Sequence, residues 1–411
     1  MIAAVLAMTC AVVTVAGILV RPWRTAEWMW ALGGAVAVVM LRLVSLPDAG
    51  RAVLSGANVY LFLAGILGLA ELGRRQGIFD WLAARALRAG GGSQQRLFAL
   101  LFGVGVVVTA VLCNDTTAVV LTSAVVVTLH RAGLRALPYL YACALVAGAA
   151  SFVLPMSNPA NLVIFGSQLP ALWPWLLAFF LPAVAAIAIT YLMLVAQFRV
   201  HLRAAYDQGP PPARLPLSAR VAAWSISIVA FGIVAVNAAN GPVGLTAAVG
   251  LCLTLALVWA FDRSSPLVVV RSMAWGVLPL VAGLFVIVAA LDAAGAVRAV
   301  HGGLLAIALL PGWGAHLAIG AAATIAANVF NNLPVALFAG TALVGQSAGT
   351  THAALVAIDL GPNLSVTGSL ATILWLVVLR REHVRVTPWQ FLLVSAIATV
   401  PALIAAELLV R

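Results

Sequence analysis

The chain is 411 residues long, 64% hydrophobic and only 8% charged, with a mean hydropathy of +1.13. Soluble domains carry about 25% charged residues, so this composition excludes a soluble enzyme or binding module. The net charge of +11 comes from 22 arginines, with no lysine, against 11 acids. The arginines fall in short loops between apolar runs, where they set membrane orientation and give no reason to expect a nucleic-acid partner.

Apolar runs long enough to cross a hydrocarbon core of ~30 Å recur from end to end. The first, Met1–Val20, lacks a basic leader and a small-residue cleavage site, so it reads as a span and not as a signal peptide. Spans over 26–46 and 53–73 follow, then an amphipathic segment, Gly77–Ala89. Two short arms, 97–113 and 117–130, meet at Asn114-Asp115-Thr116. A run over 137–166 is interrupted at Pro155-Met156-Ser157-Asn158-Pro159, and a span over 171–196 closes the first half. The most polar stretch, Arg199–Arg220, divides the chain near its middle, with Pro210–Pro212 inside it. The second half offers spans at 220–239, 242–261 and 272–292. Arms near 304–328 and 335–344 then meet at Asn331-Asn332, followed by an interrupted run over 353–379 and a final span over 388–410.

Amides and carboxyls in mid-run cannot face lipid, because each unsatisfied polar group there costs several kcal/mol. The segments 97–130 and 304–344 are therefore predicted to be re-entrant hairpins, and 137–166 and 353–379 to be broken helices. The fold class expected is an all-α polytopic membrane protein with about ten transmembrane helices and two re-entrant hairpins. Landmarks repeat at offsets of 212 to 220 residues: Arg51 with Arg271, Gly77 with Gly295, Asn114-Asp115 with Asn331-Asn332, and Ser157 with Ser369. This predicts a repeat, residues 1–196 and 220–411, joined by a linker, 197–219. Five crossings per half make the two halves inverted. With the linker in the cytoplasm, 18 of the 22 arginines are cytoplasmic and only Arg42, Arg51, Arg298 and Arg411 lie outside, which puts both termini outside.

Inverted repeats with discontinuous helices bind substrate near the membrane midplane. The candidates for substrate binding are Asn114, Asp115, Thr116, Ser157, Asn158 and Asn161 in the first half, and Asn331, Asn332, Ser369 and Thr372 in the second. Amides and hydroxyls both donate and accept, which suits a small neutral polyhydroxy solute; the same residues also make good helix caps. Asp115 and Asp359 are the only acids amid these motifs, and an ionisable group there is a functional hypothesis by default, so both are candidates for proton coupling. Glu71 and Asp292 read as snorkelling acids at span ends, and Glu407 as interfacial. The four cysteines are scattered, so no disulfide framework, metal site or cofactor is expected. Every arginine maps to a loop, which argues against a clamp for a dicarboxylate or phosphate. With no Walker A sequence, any use of ATP belongs to a partner.

Three segments, LCNDTTAVVLTSAVVV (112–127), NNLPVALFAG (331–340) and DLGPNLSVTGSLATILWL (359–376), resemble the bacterial arsenite efflux permeases of ArsB type. These belong to the larger ion-transporter superfamily that includes sodium–dicarboxylate carriers. PMSNPANLVIFG (155–166) adds support, and the resemblance covers nearly the whole chain. It implies a multi-pass protein of the bacterial inner membrane that exports arsenite or antimonite, as neutral As(OH)3, against an inward proton. It also admits a soluble arsenite-stimulated ATPase subunit as a partner. Sodium-using relatives carry Ser-Asn-Thr at the tips, where this chain has Cys113-Asn114-Asp115-Thr116 and Asn331-Asn332-Leu333-Pro334, a departure that favours protons. The alternatives are a carrier of another small solute, such as silicic acid, a sodium-coupled carboxylate carrier or a proton antiporter. An enzyme, for which Asp115 and Asp359 are the only candidate acid pair, is not expected.

Overall fold

A computed structural model describes residues 2–208, 213–263, 265–308, 310 and 312–410, apart from the side chains of Arg24, Ser167, Leu305 and Ala308. Pro210–Pro212 and Arg411, the latter expected outside the cell, lie outside the described residues. The long apolar runs close their backbone hydrogen bonds within themselves, as helices must where no water is available. Ten helices occupy the first half: α1 (Ile2–Val20), α2 (Glu27–Met40), α3 (Leu46–Ser55), α4 (Ala57–Arg75), α5 (Ile78–Ala89), α6 (Gln94–Leu112), α7 (114–131), α8 (Leu137–Ala149), α9 (Pro159–Phe165) and α10 (Leu172–Leu202). Ten more follow in the same order: α11 (Leu217–Ala238), α12 (Val243–Asp262), α13 (Pro266–Ser272), α14 (Val277–Ala293), α15 (Ala296–Ala308), α16 (Trp313–Phe330), α17 (Asn332–Ala342), α18 (Ala348–Leu360), α19 (Leu370–Arg381) and α20 (Pro388–Leu409). No β-strand occurs among the described residues.

Eight of these helices are long and apolar enough to cross a membrane, or nine if α13 and α14, bent by 43°, count as one. The eight include α6 and α16, the first arms of the expected hairpins. They omit α2, with 14 residues, and both broken helices.

Packing between the halves comes in reciprocal sets. Helix α2 packs on α14 and α4 on α12; α9 packs on α17 and α19 on α7; α10 lies along α20. At one end of the bundle Arg74 makes a two-pronged contact with Glu71, 2.7 Å for each nitrogen, while Arg75 and the Ser272 hydroxyl also donate to Glu71 at 2.8 Å. Glu71 therefore does not snorkel; it ties the end of α4 to α13. The linker closes on the same end, where Tyr206 donates to the Leu87 carbonyl. At the exposed start of α3, the Ser45 hydroxyl beside Asp48 holds its carboxyl below the usual carboxylate range, with Arg51 acting in the same direction. Asp292 is exposed at the end of α14.

Three boundaries move because a separate short helix precedes the expected element. The spans expected to begin at 53 and 272 begin at Ala57 and Val277, because α3 and α13 are separate short helices carrying Arg51 and Arg271. The arm expected from 304 begins at Trp313. Residues 296–308 form α15, which starts after Gly295 (φ 85°), as α5 starts after Gly77 (φ 69°). Both glycines take a left-handed backbone that other residues resist. With only Arg298 and His301 among its first six residues, α15 is too apolar to be told from its neighbour by sequence.

The pairing of landmarks also shifts by one residue. Cys113 (φ 76°, ψ 164°) and Asn331 (φ 72°, ψ 149°) share one rare backbone conformation, so Asn114 matches Asn332 and Asp115 matches Leu333. Asn158 (φ −141°, ψ 133°) and Ser369 (φ −138°, ψ 144°) are the equivalent N-caps of α9 and α19, so Ser157 matches Gly368. The tips thus correspond at an offset of 218 and the N-caps at 211. The difference is taken up in the return arms: α7 spans 114–131, whereas α17 has 11 residues.

Candidate transport site

The first tip forms where α6 stops at Leu112. Cys113 adopts its extended, positive-φ conformation, and the helix restarts at Asn114. Thr109 and Thr117 on either side share a 2.8 Å hydrogen bond. In a continuous helix they would stand about 12 Å apart, so the chain folds back on itself here. The backbone region around φ 76°, ψ 164° is almost confined to glycine and costs about 1–3 kcal/mol for other residues. The second tip repeats that strain at Asn331. Each is fastened from below: Asn114 N donates to the Ser157 carbonyl at 3.1 Å and Asn332 N to the Gly368 carbonyl at 2.8 Å.

Two further contacts tie the arms to the helices beside them. The Tyr139 hydroxyl donates to the Gln94 carbonyl at 3.3 Å, bringing the start of α8 to the foot of α6. His301 of α15 lies 3.0 Å from the Ala342 carbonyl at the end of α17.

Residues 150–158 and 361–369 interrupt the broken helices. An Asn or Ser cap restarts each one, with Pro159 at the first helical position of α9 and Pro362 near the start of the second break. Asn158 Oδ1 accepts from Ala160 N at 3.0 Å and Ser369 Oγ from Ala371 N at 3.2 Å. Asn158 has a second role, its Nδ2 donating to Asp359 Oδ1 at 2.7 Å. Asn161 donates to the Ser151 carbonyl at 3.0 Å, and Ser157 Oγ to the Ala110 carbonyl at 3.3 Å. Across the midline, Asn363 Nδ2 donates to the Leu145 carbonyl at 2.9 Å, 218 residues away.

Of the residues singled out by sequence, Asn114, Thr116, Ser157, Asn158, Asn161, Asn331, Asn332, Asp359, Ser369 and Thr372 are all buried; Asp115 is half-buried. The direct contacts join Asn114 with Ser157, and Asn158 with Asp359. Asn331 lines a small pocket of about 310 Å³, otherwise walled by apolar residues such as Ile18, Leu280, Leu333 and Leu370; Asn114, Ser157 and Ser369 are not among its walls. A larger polar cleft of about 1780 Å³, counted to its open mouth, receives Asn58 of α4, Ile164 of α9, Asp292 of α14, Gln346 after α17 and Thr351 of α18. All five stretches are ones that the arginine count puts outside.

Asn328 and Asn363 are not among the residues singled out by sequence. Asn328 donates to the Thr324 and Gly361 carbonyls at 2.8 and 2.9 Å. Both amides sit in apolar runs, the signal that could have promoted them. Glu407 was expected at the interface; it is buried, because α16 presents Gly320 to it.

Membrane-length helices, breaks lined by buried amides and hydroxyls, and a polar cleft together define a multi-pass membrane transporter. A family model described as citrate transporter matches residues 4–361, and the chain belongs to that family. It is similar to the arsenical pump membrane protein of Escherichia coli, with 26% identity over 396 residues, 92% of this chain and 91% of that one. The protein of the same name from Yersinia enterocolitica is 26% identical over 392 residues, again 92% and 91%. The chain is a membrane transporter and not an enzyme.

Proposed function

We propose that the chain exports arsenite or antimonite across the bacterial inner membrane, taking the solute as neutral As(OH)3 and exchanging it for protons by alternating access. The observation that carries this reading is the chemistry of the tips and breaks. Among the described residues the buried polar side chains are amides, hydroxyls and two carboxyls, Asp359 and Glu407, with no arginine or histidine among them. Three hydroxyls of an uncharged solute match amides and hydroxyls, whereas a carboxylate substrate calls for a cationic partner. The names of the relatives point to the same solute class.

In this reading the chain is an inverted repeat of 1–196 and 220–411, and 97–130 and 304–344 are re-entrant hairpins. The matched tips at Cys113 and Asn331, the matched caps at Asn158 and Ser369, and the reciprocal packing support it. Asn114, Asp115, Thr116, Ser157, Asn158, Asn161, Asn331, Asn332, Ser369 and Thr372 form the substrate site, and Asp115 and Asp359 carry the proton. The cleft at Asn58 and Thr351 is the outer vestibule. A downhill proton supplies ~2.3 kcal/mol per 100 mV, so the arsenite-stimulated ATPase is an optional partner. Everted vesicles containing the chain should accumulate arsenite when energised and lose it on adding a protonophore. Equal uptake by vesicles without the chain would overturn the proposal.

A further inference from the structure

Glu407 has no part in that scheme, yet its placement is unusual. It lies in the last turn of α20, 1% exposed, and neither carboxylate oxygen has a hydrogen-bond partner among the described residues. It points at α16, where a β-carbon on Gly320 would stand 2.6 Å from Oε1; only glycine leaves room for it. A buried acid without a donor is costly, and the end of a helix repels negative charge. A leucine would pack there without either cost.

The neighbours of Gly320 supply a reason for an acid. Thr324 lies one turn along α16, about 6 Å further. Its hydroxyl also lacks a partner and sits over Gly361, 2.6 Å from where a β-carbon would be. Asn328, another turn on, holds the Gly361 carbonyl and leaves its own Oδ1 unpartnered. Gly361 is two residues from Asp359, whose Oδ2 has no partner either. Four side chains with an unsatisfied oxygen thus follow one another from the end of α20 to the carboxyl bound by Asn158.

At the level of Glu407 the titratable groups on the packed helices are His316, one turn from Gly320 on α16, and His352 on α18, which lies edge-on to Phe179 of α10. Asp359 is two turns deeper on α18. Arg199 and His201 of α10 belong to the far end, where Gln197 donates to the Val394 carbonyl at 3.3 Å.

We propose that Glu407 is a proton-binding site, the outer station of a path running by Thr324 and Asn328 to Asp359. The direction of proton flow rests on the antiport reading; the existence of the site does not. The full chain, reconstituted in lipid, provides two independent readouts. Infrared difference spectra across a pH titration should show the carbonyl stretch of a protonated carboxyl group that disappears in Glu407→Gln and returns, shifted, in Glu407→Asp. In proteoliposomes, Glu407→Gln should lose pH-gradient-driven arsenite accumulation and keep arsenite counterflow, which moves no net proton. Thr324→Val should keep the infrared band and slow gradient-driven accumulation. An infrared band unchanged by Glu407→Gln would overturn the proposal, as would full gradient-driven accumulation in that variant. Loss of accumulation and counterflow in equal proportion, with Glu407→Asp failing alike, would mark Glu407 as structural. A wild-type chain with the Glu407 band but no arsenite counterflow would instead sink the substrate reading and leave the site standing.

Discussion

The bond between Asn158 and Asp359 joins the two halves at the heart of the proposed site, and its strength can be worked out. Asn158 Oδ1 caps α9 and its Nδ2 donates to Asp359 Oδ1 at 2.7 Å, with the Asn161 side chain also beside that carboxyl. Losing an N-cap oxygen costs about 1 kcal/mol. Losing the donor to a buried carboxyl costs about 1.5–3 kcal/mol. Asn158→Ser keeps a capping oxygen and should destabilise by about 2 kcal/mol, whereas Asn158→Ala, which loses both, should cost about 3–4 kcal/mol. Unfolding in mixed detergent micelles, followed by fluorescence of the buried Trp175 and Trp375, would measure both. A double-mutant cycle with Asp359→Ala isolates the bond and should return a coupling of about 1.5 kcal/mol or more. A coupling near zero, with Asn158→Ser as stable as the wild type, would refute the view that this contact holds the halves together.

Other expectations follow from the same geometry. Asp115→Asn should fold and bind substrate but lose proton-driven efflux in everted vesicles, because its counterpart Leu333 shows that the tip needs no charge for its shape. Cys113→Gly should leave stability unchanged or raised, as relief of backbone strain offsets the lost thiol, and Cys113→Val should be destabilised by roughly 2 kcal/mol or more in the same unfolding assay. A β-carbon on Gly148 would collide with the Asn363 side chain, so Gly148→Ala should break the Asn363–Leu145 bond and lower thermal stability; Asn363→Ala in the same chain should recover part of the loss. Gln208→Cys, in a background with exposed Cys252 replaced, should resist impermeant thiol reagents in intact cells and react once cells are opened; labelling from outside would invert the topology.

The long helices were legible because apolar runs of membrane length have few alternatives, and the tips were legible because Asn114, Asp115, Asn331 and Asn332 break such runs. What sequence could not supply is who meets whom. The contacts of Asn158 with Asp359 and of Asn363 with Leu145 link residues 201 and 218 apart, and no local pattern encodes either. Glu407 was misplaced for the same reason: nearness to the end of a run suggests an interface, but its burial is decided by a glycine on another helix. Sequence pairs the landmarks one residue out of step because identical residues, Asn with Asn and Ser with Ser, do not hold equivalent backbone positions. The backbone equates Cys113 with Asn331 and Asn158 with Ser369, where the side chains differ and the dihedral angles agree.

In the proposed alternating-access cycle, the unequal return arms have a consequence. Seven residues, two turns, separate α7 from α17 in length, about 10 Å of helix, while the tips they leave are alike. If the halves are inverted copies, that surplus stands on one side of the membrane only, so one solvent corridor to the tips is longer than the other. Opening the long corridor asks for more water than opening the short one, and the two states therefore differ in hydrated volume. Osmotic stress, which withdraws water, would hold such a carrier in the state whose corridor is short, making its resting orientation a function of the medium as well as of the solute.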